Sequence, residues 1–172
     1  DLGIAVQKIY DFIWEEFCDW YIEMVKPRLY SETDDTKAAA LYTLKTVLID
    51  ALKLLHPYMP FITEEIYCTL MDSEEQSIMV SDWPVYTEDR NFAEDEAKVE
   101  RIKEAVKGIR NIRGEMNVPP SKKASVIVVS EKEEVLNVFE ENKVFFATLG
   151  YASEVAFQTA KEGIAEDAVS VV

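Results

Sequence analysis

KVERIKEAVKGIRNIRGEMNVPPSKK, residues 98–123, is the one basic stretch in a chain whose formal net charge is −15. Eight Lys and Arg face three Glu within it. Val99, Ile102, Val106, Ile109, Ile112 and Met116 recur at steps of three and four, the apolar stripe of an amphipathic helix. Lys103, Lys107, Arg110 and Arg113 follow similar steps and are read as a second, cationic face. Such a face on an acidic protein is either a solvated surface or a local patch for an anionic partner. The charge continues past the helix stop at Pro119-Pro120 into Lys122 and Lys123, which favours the patch.

The flanks are read from this helix. Towards the N-terminus, Ile9, Phe12, Ile13, Phe17, Trp20 and Met24 predict a long first helix that Pro27 terminates. A polar connection, Ser31–Asp35, offers Asp34 or Asp35 as the cap of a second helix with Ala38, Leu41, Leu48, Leu52 and Leu55 on one side. In HPYMPFITEEIY, Pro57 and Pro60 forbid a straight helix, so a break is expected, then a third helix over about 61–71 with Thr63 as a cap-like residue. His56, the only histidine, reads as a packing and hydrogen-bonding group at a helix end. Asp72–Gln76 reads as a polar turn, Ser77–Ser81 as extended by the alternation of Ile78 and Val80, and Trp83-Pro84 as the close of an extended crossing. Phe17, Trp20, Leu48, Leu52, Phe61 and Ile109 are the expected core among four long helices.

Beyond the prolines the pattern changes. Residues 124–130 are β-branched and strand-like, 132–139 and 142–149 helical, Gly150 a stop, and 155–158 and 168–172 strand-like again. The expectation is a mainly α protein: a helix bundle over residues 1–118, then a small α+β subdomain over 119–172, incomplete at its C-terminal end.

Nearly half the residues are apolar, so the chain is folded and not an acidic tail. The net charge opposes DNA or membrane binding by the whole surface. Cys18 and Cys68 lie in helical patterns without framework spacing and read as reduced core thiols of a cytoplasmic protein. No apolar run approaches the ~18 residues of a membrane span. A start at Asp1 without Met, directly before a helical pattern, reads as a piece of a longer polypeptide. There is no Gly-rich phosphate loop, CxxC or HExxH, and no nucleophile with a histidine to spare, so no catalytic residue and no metal site are assigned.

Three stretches together, YDFIWEEFCDWYIEMVKP (10–27), LLHPYMPFITEEIY (54–67) and IRNIRGEMNVPPSKK (109–123), resemble the helical anticodon-binding domain of valyl-tRNA synthetases, a class I aminoacyl-tRNA synthetase family. The middle stretch is shared with isoleucyl and leucyl enzymes, and the third is more particular to the valyl ones. The resemblance implies the antiparallel helix bundle of the class I type, and a non-catalytic tRNA-recognition module acting in cis with the rest of a valine–tRNA ligase. It implies no cofactor in this piece, because ATP is used by a catalytic domain whose HIGH-like and KMSKS-like motifs are absent here. The implied partner is valine tRNA, met in its anticodon region by a monomer. Candidate contacts are Arg110, Arg113, Lys103, Lys107, Lys122 and Lys123 for the RNA backbone or a base, Val80 and Ser81 within a crossing whose backbone (79–82) could meet a base edge, and Trp14 or Phe17 for stacking where not fully buried. Two alternatives stand beside it: the equivalent isoleucyl or leucyl domain, and a protein-interaction module docking through the basic helix.

Overall fold

The computed structural model describes residues 1–71 and 77–171, so the turn expected at 72–76 lies outside the described residues. The chain forms two compact units, Asp1–Asp89 and Arg90–Val172. Among the described residues it is mainly helical, with one two-stranded sheet.

The first unit opens with α1 (Leu2–Asp11), capped by the Asp1 carboxylate, which accepts from the Gly3 N–H at 2.9 Å. The helical path continues through a wider π-type segment, Phe12–Ile22, into α2 (Glu23–Tyr30). Winding with i→i+5 bonds brings Phe12 and Phe17 into a stack at 6.5 Å, and Phe17 meets Tyr21 at 6.1 Å. Pro27 sits inside α2 and does not end it, contrary to the sequence reading. A proline removes one donor, which a helix already held by its neighbours survives; the stop comes at Ser31, where the backbone turns extended (ψ 135°) and the hydroxyl accepts from the Thr33 and Asp34 N–H groups.

Asp34 then accepts from the N–H and the hydroxyl of Thr36, and those bonds hold its carboxyl below the ordinary value. It shapes the turn, while Thr36 occupies the cap position of α3 (Lys37–Leu55). Arg28 ties α2 to this start, Nε donating to the Thr36 hydroxyl at 2.8 Å and Nη2 to its carbonyl at 2.9 Å. After a turn at 56–58, α4 (Pro60–Met71) starts on proline, whose missing N–H is of no consequence in a first turn. Leu52, Tyr67 and Ile78 form a buried cluster, with Leu48, Ile49, Ile66, Leu70 and Met71 packed against it. Phe61 does not join the core and is 90% exposed. The inward line of α4 runs through Thr63 and Tyr67, and two helical steps turn Phe61 about 200° away from Thr63. Nor is Thr63 a cap: it is buried, with its hydroxyl donating to the Met59 carbonyl at 2.8 Å.

In the second unit, α5 (Ala93–Glu115) leads into β1 (Ala124–Val129), α6 (Glu133–Glu141), α7 (Lys143–Leu149) and β2 (Ala152–Gln158). β1 and β2 are parallel, Ser125 opposite Glu154 and Val129 opposite Gln158, with an irregularity between Ala124 and Ser125. Parallel strands need a long crossover, and α6 and α7 are that crossover. Phe139, Phe146 and Phe157 pack edge to face beneath it. Gly150 ends α7 where a Cβ would lie 2.7 Å from the Phe146 carbonyl oxygen, so no larger residue fits without a shift. Residues 168–171 form no strand: Val169 and Val171 are exposed, without the ladder that β-branched residues need to become one. The compact units divide at 89/90, so α5 and its Ile109 lie in the same unit as the sheet.

α5 ends in a Schellman motif. Asn117, at φ +54°, donates to the Gly114 carbonyl at 3.0 Å, and Val118 donates to that of Arg113 at 2.8 Å. Gly114 has ordinary helical geometry, and a Cβ there would meet nothing within 4 Å. Gly114→Ala should therefore raise stability by about 0.5–1 kcal/mol, as an upward shift of the denaturation midpoint.

Candidate nucleic-acid interface

The six cationic candidates divide into two groups. Arg113 lies eleven residues after Ile102, which returns it to the phase of Ile102, Val106 and Ile109; it is only 8% exposed. Its Nη2 donates to the carbonyls of Pro119, at 3.0 Å, and Lys122. Lys103, on the flank of the same stripe, is 2% exposed and donates to Glu100 at 2.6 Å. Arg110 is half-buried, and its Nε donates to the Leu149 carbonyl at 2.8 Å, closing the C-terminal end of α7 where a cation suits the helix dipole. Lys107, Lys122 and Lys123 are exposed. The face expected to carry four cations to a partner thus keeps Lys103, Arg110 and Arg113 inside the chain's own packing. The apolar stripe itself held the missed signal, because Arg113 continues it at helical spacing.

The extended crossing expected at 77–81 is a tight 3₁₀ turn, Ile78–Val80. Serine hydroxyls make the difference: Ser77 Oγ accepts from the Met79 N–H at 3.1 Å, and Ser81 Oγ donates to the Ile78 carbonyl at 2.7 Å. Ile78 anchors the turn in the core, and its N–H donates to the Glu64 carboxylate at 3.2 Å. The N–H groups of Val80 and Ser81 are donated within the turn as well. The N–H groups of 79–81 are therefore taken. Val80 and Met79 are exposed, and Ser81 is half-buried.

Beside the turn lies a cleft of about 110 Å³ lined by Lys53, His56, Ile78, Met79, Ser81, Asp82 and Trp83. His56 bridges its floor, Nδ1 lying 2.7 Å from the Thr63 hydroxyl and Nε2 2.9 Å from Met79 Sδ. That is the helix-end role expected of it, now also a wall of the cleft. Lys53 and Trp83 were not among the expected contacts; the signal for Trp83 was a large aromatic in a connecting segment, read as the close of an extended crossing. It is half exposed and supplies a ring face to a cleft that also offers a cation, a carboxylate and a hydroxyl. Trp14, 55% exposed beside Tyr10 at 6.3 Å, has an accessible ring, whereas Phe17 is buried and has none.

The family described as the anticodon-binding domain of tRNA ligase matches residues 1–128. The chain belongs to that family. Every expected contact, from Trp14 to Lys123, lies inside the matched span of this anticodon-binding domain. Among similar proteins, the valine–tRNA ligase of Clostridium acetobutylicum is 50% identical over 172 residues, all of this chain and 19% of that protein. That of Clostridium tetani is 47% identical with the same coverage. That of Geobacter sulfurreducens is 42% identical over 168 residues, 97% of this chain and 19% of the relative. The chain spans about a fifth of the length of these curated relatives. Among the described residues, no helix is long and apolar enough to cross a membrane.

Proposed function

We propose that this chain is the anticodon-recognition domain of a valine–tRNA ligase, folded as the antiparallel bundle of the class I type. It holds the anticodon region of valine tRNA while the rest of the ligase, acting in cis in the cytoplasm, uses ATP to attach valine. In this reading the chain is monomeric, binds no cofactor and carries no catalytic group. The observation that carries it is the pinned Ser77–Ser81 turn with its cleft, inside the span matching the anticodon-binding family. Loop bases of RNA are read by stacking and by polar contacts to their edges, and Trp83, Ser81, Asp82 and Lys53 provide both. Val80 and Trp14 offer further apolar surface. Lys107, Lys122 and Lys123 are the exposed cations for the RNA backbone, which makes the reaction salt-dependent.

The test is a salt titration. Replacing Lys122 and Lys123 by Ala should weaken binding of a valine tRNA transcript and flatten the slope of log K against log salt by about 0.7–0.9 per lost phosphate contact. An unchanged slope and affinity would remove both residues from the interface.

A further inference from the structure

Arg113 is a buried cation whose two Nη2 hydrogen bonds both go to the basic loop. Its guanidinium donates from Nη2 to the Pro119 carbonyl at 3.0 Å and to the Lys122 carbonyl. Its central carbon lies 5.6 Å from the centre of the Tyr151 ring. Tyr151 is itself turned back at φ +55°, and its carbonyl accepts from the Ala124 N–H at 3.3 Å, where β1 begins. Within the loop, Lys122 N–H donates to the Pro119 carbonyl at 3.0 Å. The end of α5 and the loop therefore close on one planar cation, and Tyr151, just before β2, links that cation to the start of β1. The carbonyl of Lys122 is drawn inward while the side chains of Lys122 and Lys123 remain exposed.

We propose that Arg113 is a positioning residue that locks the Pro119–Lys123 loop, so that Lys122 and Lys123 meet the phosphates of a bound RNA backbone as a preset pair. This rests on the reading of the chain as a tRNA-binding domain, and it gives Arg113 a role other than direct contact. A loop ordered before binding does not have to lose its freedom at the moment of binding, so two flexible lysines act with more effect than they would on a loose segment. Nη2 gives both carbonyls a hydrogen while the flat guanidinium lies over the Tyr151 ring; lysine carries no planar group to place there, and its ammonium sits on a stem of different shape.

The experiment uses the whole chain and a valine tRNA transcript, with Arg113→Ala, Arg113→Lys, the Lys122→Ala/Lys123→Ala pair, and the pair combined with Arg113→Ala. Circular dichroism identifies folded variants, and Arg113→Lys serves should the alanine form fail. Amide exchange at Lys122 and Ala124 is expected to quicken at least tenfold in both Arg113 variants. Arg113→Lys, which keeps the charge, should weaken tRNA binding severalfold with the salt slope unchanged. In the chain lacking both lysines, Arg113→Ala should change affinity by less than twofold. Equal losses with and without the lysines would overturn the proposal, because Arg113 would then act elsewhere. Wild-type exchange rates in the Arg113 variants would overturn it while leaving tRNA binding in place. A lysine pair whose removal leaves binding intact would also overturn it. A wild-type chain that does not bind the transcript would overturn the tRNA reading itself, and this proposal with it.

Discussion

Phe146→Ala is expected to destabilise the second unit by about 3–5 kcal/mol. Phe146 has no exposed surface, and its ring meets Phe139 at 5.4 Å and Phe157 at 6.1 Å, both edge to face. Removing it takes away a large buried area and two aromatic pairs, each worth about 0.5–1.5 kcal/mol beyond burial. The site is poorly able to collapse, because α7 is held at its end by Gly150 and by Arg110 on the Leu149 carbonyl. Amide exchange in β1 and β2 reads the loss locally, whether or not the two units unfold together. A loss under about 1 kcal/mol would mean that the sheet is not packed on α7 as described.

Leu52→Ala is expected to cost the first unit about 2–5 kcal/mol. Leu52 is buried between Tyr67 and Ile78 and so joins α3, α4 and the 3₁₀ turn in one cluster. The void would open directly under the turn that carries Met79 and Val80, so its amides should lose protection together with those of α3. Phe61→Ala is the matched control: the larger truncation, made at an exposed residue, should stay within about 0.5 kcal/mol of wild type. Comparable losses from the two would place the inward face of α4 on the wrong side.

Much of this fold was legible because the relevant signals are local. Pro60 and the punctuation around it marked the start of α4, the β-branched run marked β1, and Gly150 marked the end of α7. What escaped the sequence depends on groups that answer to several neighbours. The π-type winding of Phe12–Ile22 sets Phe12 and Phe17 five residues apart in a stack, a spacing that a period of 3.6 does not single out. The Ile78–Val80 turn came from two serine hydroxyls that compete with extended backbone. The cationic binding candidates were read from charge, and charge alone does not distinguish a cation presented to a partner from one used within the fold. Arg113 and Arg110 find backbone carbonyls from segments six to thirty-nine residues away, and those pairings become visible only when the chain is folded.

Whether this chain reads an anticodon is decided by its binding to two RNA stem–loops. Valine tRNAs share A and C as the second and third anticodon bases, so one loop carries these and the other has them exchanged, with the backbone otherwise identical. Phosphate contacts contribute equally to both, and only base recognition separates them. The account predicts that the valine loop binds more tightly by about 1–3 kcal/mol per base read, a difference that persists as salt is raised. Equal affinity for the two loops at every salt concentration would contradict it.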